Sequence, residues 1–105
     1  MGFIIIYVTY RTLKDARLVS LHLLERKLIA GSNIFPISSF FWWQGNVTED
    51  GEYVSLFMTR KENWSLVCAE IRKMHPYDIP AMIRFDVSAN PDLESWIARD
   101  SHQEP

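Results

Sequence analysis

Hydrophobic and polar positions alternate in two different rhythms along this chain, and the rhythm predicts the elements. Phe3 to Tyr10 is an unbroken β-branched and aromatic run, which suits a central strand covered on at least one face. Leu13, Ala16, Val19, Leu23 and Leu24 then recur at helical spacing, predicting a helix to about Lys27. Thr12 opens it in "TLKD", where the hydroxyl can accept from the Asp15 amide and the carboxylate suits the positive helix start. A second extended run covers Ile29 to Val47, interrupted by Pro36 and Gly45. Asp50-Gly51 is a hairpin turn signal, because both residues tolerate positive φ, and Tyr53 to Thr59 returns as a third strand. Trp64, Val67, Cys68, Ile71 and Met74 mark an amphipathic second helix with Cys68 on its apolar stripe. Ile79 to Val87 reads as a fourth strand. Asn90-Pro91 supplies an N-cap and first-turn proline for a short last helix carrying Leu93, Trp96 and Ile97. Residues 1–100 form one domain in this reading, and 101–105, "SHQEP", a flexible tail.

The order strand–helix–strand–strand–helix–strand is that of an α+β, ferredoxin-like split βαβ sandwich with an antiparallel sheet, here followed by a short C-terminal helix. The fourth strand then lies on a sheet edge, which agrees with Pro80 inside it, since an edge needs no ladder donor there. The second hairpin does not suit a lone domain. Asn33 to Val47 would span about 50 Å at about 3.3 Å per residue, against a radius of gyration of about 13 Å for a compact chain of this size. Such a ribbon must bend, at Pro36 and Gly45, or protrude. Its middle, Phe40 to Trp43, reads "FFWW", so both faces carry large aromatics and one of them needs a neighbour. An oligomer interface is expected there.

Composition narrows the function. At 105 residues, with 11 basic and 13 acidic side chains and a formal charge of −2, the chain has no basic run for nucleic acid or anionic membrane. Its single cysteine, Cys68, excludes an intrachain disulfide and fits a reducing compartment. The opening apolar run lacks a basic lead and a small-residue cleavage pattern, and no run is long enough to span a membrane. A cytoplasmic protein with no membrane partner is expected.

Candidate chemistry concentrates in "KMHPYDIPAM", Lys73 to Met82. His75 ends a helix before Pro76, where a cationic imidazole could bond the last carbonyls, or a ligand could use it. Cys68 lies two helical turns earlier, about 10 Å along the axis, too far to share one ion with His75 in the same chain. His22 and His102 have no second histidine or cysteine at i+3 or i+4. A metal site would therefore be assembled between subunits, from symmetry-related His75 side chains. Tyr77 suits core or interface, and Glu52 is expected opposite Gln44 or Asn46 across the hairpin. Ser38, Ser39, Asp78 and His75 form no nucleophile–base–orienter set, so no catalytic residue is assigned and no enzyme is expected.

Ala30 and Asn33 at the second strand, Ser39, Trp43 and Gly45 along the ribbon, Glu52 opening the third strand, His75-Pro76-Tyr77-Asp78 with Pro80, and Trp96 occur together in this order. In that combination the chain resembles the CutA family of divalent-cation tolerance proteins along nearly its whole length. The resemblance implies a PII-like homotrimer whose hairpins reach neighbouring subunits. It further implies a role in copper or other divalent metal tolerance, or small-ligand sensing, in intersubunit clefts. It points to His75, Tyr77, Trp43 and Glu52 as cleft residues and to His75 as a metal ligand; no cofactor is certain, and Cu2+ or another divalent cation is the candidate. Four positions depart from the family pattern: Gly31 for a cysteine, Phe41 for a tyrosine, Met58 for a lysine and Ala81 for a glutamate. Met58 and Ala81 are expected to be neighbours whose charge pair is absent as a unit. Two other classes fit the same element order. An RNA-binding ferredoxin-like sheet would stack bases on strand aromatics, but "EYVSLFM" lacks the basic-glycine lead and the charge is acidic. A small enzyme with an intersubunit active site is the other.

Overall fold

The computed structural model describes residues 2–103. Its elements run β1 (Phe3–Tyr10), α1 (Leu13–Glu25), β2 (Gly31–Trp43), β3 (Asn46–Thr59), α2 (Trp64–Met74), β4 (Met82–Val87) and α3 (Pro91–Asp100). The sheet order is β2-β3-β1-β4, and every adjacent pair is antiparallel. This is the expected α+β split βαβ sandwich, with β4 on an edge.

Burial explains why β1 is apolar throughout. Ile4, Ile6, Val8 and Tyr10 point into the main core, with Ala16, Val19 and Leu23 of α1 and Val67 and Ile71 of α2. The alternate residues Phe3 and Ile5 meet Leu93, Trp96 and Ile97 of α3 on the other face. The strand is thus buried from both sides, and α3 covers only one end of the second face. Beyond that end Phe35, Ile83 and Phe85 stay exposed, an apolar strip on the sheet.

Local signals set the helix ends. The Thr12 hydroxyl accepts from the Asp15 amide at 3.1 Å, as the sequence implies. α1 stops in a Schellman motif, the Leu28 amide donating to the Leu23 carbonyl and the Lys27 amide to that of Leu24, both at 3.0 Å. Lys27 takes the left-handed conformation usually given to glycine there, with φ of 59°.

The hairpin turn is Gln44–Gly45, not Asp50–Gly51. Both turn residues have positive φ, 49° and 80°, and Trp43 pairs with Asn46 across them. Asp50 and Gly51 lie inside β3 opposite Ser39 and Ser38. A two-residue turn at 50–51 would set Glu49 directly against Glu52, an unfavourable like-charge pair. The observed register puts Phe40 opposite Glu49 and Ile37 opposite Glu52 instead, so Glu52 faces neither Gln44 nor Asn46. The ribbon does not bend at Pro36, which stays in register with Tyr53. It protrudes. Beyond Tyr10↔Tyr53 no third strand pairs with the ribbon among the described residues, and the pairs from Ile37↔Glu52 to Trp43↔Asn46 run on alone for about 20 Å. The resulting body measures 44 × 26 × 20 Å.

Two further expectations are corrected. Pro80 precedes β4, which begins at Met82, because a residue without an amide donor leaves the bend before the ladder starts. Ser101 is not tail: it is fully buried, its hydroxyl donating to the Ile97 carbonyl and accepting from the Arg60 amide. Its carbonyl accepts from Asn63 Nδ2, which also lies within bonding distance of the Leu28 carbonyl and Thr59 Oγ1. Residues 104 and 105 lie outside the described residues.

Candidate functional site

Three segments meet at one corner of the sandwich: the end of β1, the point where β3 outruns β1, and the loop after α2. Pro76 disfavours helix at His75, and that residue caps α2 with φ −74° and ψ 132°. Its amide still bonds the Ile71 carbonyl at 2.8 Å, but the ring turns away from the helix end. It reaches the Thr9 carbonyl with Nε2 at 2.7 Å. The pairing of β4 with β1 stops at Val8↔Met82, one residue short of Thr9, which leaves that carbonyl to the imidazole. On the other side of the ring, Nδ1 accepts from the Tyr77 amide at 3.1 Å.

The protonation pattern follows from the partners. An amide only donates, so Nδ1 carries no proton; a carbonyl only accepts, so Nε2 carries one. His75 is the neutral Nε2–H tautomer, 8% exposed, stacked on Tyr10 at 4.9 Å and meeting Tyr77 edge-on at 4.7 Å. The Tyr77 hydroxyl donates to Glu52 Oε2 at 2.8 Å, and the Arg11 guanidinium sits over its ring at 5.9 Å. Burial, and then the Glu52 carboxylate, push the Tyr77 phenol up to about 12, so it remains a donor. Burial also raises the Tyr10 phenol. The Ser55 hydroxyl works against that shift, although both hydroxyls are buried with no partner in hydrogen-bonding geometry.

The corner therefore joins His75, Tyr77 and Glu52, three of the four residues expected at a cleft. Trp43 is elsewhere, at the ribbon tip, six residues along β2 from the partner of Glu52. The corner also includes Thr9, Tyr10 and Arg11, which the sequence reading misses because a backbone carbonyl and an inward aromatic leave no signature. A divalent ion does not fit these side chains within one chain. Both imidazole nitrogens are engaged by backbone groups, and no group of three or more His, Cys, Asp or Glu side chains is gathered for a metal among the described residues. A metal could reach His75 only by displacing the Thr9 carbonyl or the Tyr77 amide.

Cys68 is half-buried rather than core. It lines an open depression of about 450 Å3 between α2 and β4, with Trp64, Arg72 and Met82. Burial raises its thiol, against the pull of Arg72 and Arg84. Met58 and Ala81 are not neighbours: Met58 pairs with Ile5 and packs under α3, whereas Ala81 adjoins Met82, opposite Val8. The expected charge-pair site does not exist within the chain. Gly31 and Met58 are the departures that meet. A Cβ on Gly31 would come within 2.9 Å of Met58 Cε and 3.3 Å of the Trp96 ring.

The sheet order and the protruding ribbon together define an α+β split βαβ protein with a long projecting hairpin. A structure described as the PII-like protein CutA from Nostoc shares the fold, with a TM-score of 0.88 at 17% identity, over 96% of this chain and 99% of that one. The crystal structure of CutA1 from Pyrococcus horikoshii superposes with a TM-score of 0.91 at 35% identity, covering 95% of this chain and 99% of that one. A divalent-cation tolerance protein CutA from Archaeoglobus fulgidus is 42% identical over 93 residues, 88% of this chain and 91% of the relative. The family model described as CutA1 divalent ion tolerance protein matches residues 4–100. The chain belongs to the CutA1 divalent ion tolerance family.

Proposed function

We propose that this chain works in divalent-ion tolerance as a homotrimeric, non-enzymatic PII-like binding protein. Its ligand sits between subunits, where one subunit's ribbon brings Trp43 to the His75–Tyr77–Glu52 corner of the next. The observation that carries this reading is the ribbon. Phe40, Trp42 and Trp43 are 68%, 74% and 61% exposed on a two-stranded projection that a lone chain leaves uncovered. Exposed Phe35, Ile83 and Phe85 on the sheet supply a second apolar surface for neighbouring chains. A small ligand, rather than a metal held by one chain, suits a corner made of a phenol donor, a carboxylate and a guanidinium. Cu2+ enters only as an ion whose ligands come from more than one subunit.

The single Cys68 suits a reducing, cytoplasmic setting. No helix among the described residues is long and apolar enough to cross a membrane. A relative from Archaeoglobus fulgidus is described as periplasmic.

Light scattering at micromolar concentration should give about three chain masses, and a monomer would end the trimeric reading. Titration calorimetry with Cu2+, ATP and single-stranded RNA separates the ligand classes. Saturable binding of ATP or Cu2+ that requires the trimer supports the proposal. Binding of RNA alone would place the chain with nucleic-acid modules instead, and turnover of ATP would make it an enzyme.

A further inference from the structure

We infer that the depression between α2 and β4 is a second small-molecule site, one that takes a planar aromatic molecule carrying a single carboxylate. Trp64, Ser65, Cys68, Ala69 and Arg72 of α2 form one wall and Met82 of β4 the other, around about 450 Å3. That volume falls within the roughly 300–1,000 Å3 of small-molecule sites. The helix period builds the first wall. Ser65, Ala69 and Arg72 recur at i, i+4 and i+7, so one stripe of α2 presents a hydroxyl, a methyl and a guanidinium over about 10 Å. Trp64 and Cys68 recur at i and i+4 beside that stripe. Trp64 and Met82 both pack against the main core, which fixes the two walls relative to each other.

The charges select the ligand. No carboxylate lines the depression. The Arg84 guanidinium lies over the Trp64 ring at 5.7 Å, but Asp86 neutralises it through two bonds, at 2.7 and 3.1 Å. Glu70, the only acid of α2, is held by His22 and Lys73. Arg72 therefore has no ion-pair partner among the described residues. Burial raises the Cys68 thiol above its ordinary 9.0, so at neutral pH no thiolate competes for that guanidinium. One unmatched cation calls for one anionic group, and a planar carboxylate meets the guanidinium fork with two bonds. The body of the ligand then lies against the Cys68 and Met82 sulfurs and beside the pinned Arg84. Sulfur and guanidinium both favour an aromatic ring there over an aliphatic chain.

The depression shares no side chain with the His75–Tyr77–Glu52 corner, so this site and the function proposed above can fail separately. The test uses 2-naphthoate, with 2-naphthamide as its uncharged match. In 15N–1H spectra the Trp64 indole signal, assigned by its loss in Trp64→Phe, should shift saturably with naphthoate, half-saturating at or below about 1 mM. Alkylation of the single cysteine, Cys68, by iodoacetamide should slow severalfold in parallel. Arg72 is exposed, so its variants keep the fold. Arg72→Gln should weaken naphthoate by about tenfold or more, and Arg72→Lys, which keeps the charge but not the fork, by less. Naphthamide should bind the parent no better than naphthoate binds Arg72→Gln. Absence of a saturable Trp64 shift would overturn the site. So would equal affinity for the amide, or unchanged affinity in Arg72→Gln. Binding that Arg11→Gln abolishes and Arg72→Gln spares would move naphthoate to the other corner, and would overturn it too.

Discussion

Single residues here do work that their type does not announce. Glu94 lies in the first turn of α3, where a carboxylate is expected, but its oxygens leave the helix. One accepts from the Ala89 amide at 2.8 Å and the other from the Gly2 amide at 2.7 Å, tying the start of α3 to the start of β1. The Ala89 amide, then that of Gly2, hold the carboxyl below its ordinary value of 4.5, against the opposing effect of burial. A depressed carboxyl adds stability that is complete above the ordinary value and lost as pH falls through the depressed one. Glu94→Gln should therefore lower the unfolding midpoint at neutral pH and flatten its fall between about pH 5 and about pH 3. An acid-unfolding profile parallel to that of the parent would show that the two bonds carry no linkage. The same residue marks a limit of sequence reading. Asn90 is the expected N-cap, yet its side chain makes no capping bond; the long-range partner Gly2 is invisible in a local pattern.

At the scale of elements, periodicity found β1 and all three helices, because each buries a regular stripe, and the element order placed β4 on an edge although Pro80 lies outside it. Periodicity failed where turn chemistry offered two answers. Asp50-Gly51 is the stronger local signal, but Gln44–Gly45 gives the register that avoids Glu49 against Glu52 and keeps β2 paired along its whole length. The two glycines therefore differ in kind. Gly45 has φ of +80°, whereas Gly51 is extended backbone with nothing within 4 Å of a built Cβ. Gly45→Ala should cost about 1 kcal/mol through left-handed strain. Gly51→Ala should be neutral or stabilising by about 0.5–1 kcal/mol, because glycine weakens a strand. Thermal unfolding of the two variants reads the difference directly. A larger loss for Gly51→Ala would put the turn back at Asp50–Gly51.

For the whole molecule, the candidate site was partly legible: His75, Tyr77 and Glu52 do converge, drawn together by a motif that stops a helix beside a strand end. The bonds of His75 were not legible, because they run to the Thr9 carbonyl and the Tyr77 amide. The fourth residue, Trp43, stays apart because its place is set by the length of the ribbon, and only a second chain can bring it to such a corner. Trp42 and Phe40 lie on one face of that ribbon by alternation, Trp43 and Phe41 on the other. Burying a large aromatic at an interface contributes roughly 1.5–3 kcal/mol, and in the proposed trimer threefold symmetry would repeat the contribution at each interface. Trp43 touches neither core cluster of its own chain, so its loss should spare the monomer fold and weaken only the assembly. Trp43→Ala should dissociate at concentrations where the parent remains about three chain masses, with far-ultraviolet circular dichroism retained. His102→Ala, exposed beyond α3, should leave the mass unchanged. If Trp43→Ala holds its mass on dilution as well as the parent does, the ribbon tip is not an interface anchor. The apolar strip of Phe35, Ile83 and Phe85 would then have to carry the association alone, and Phe85→Ala should dissociate it instead.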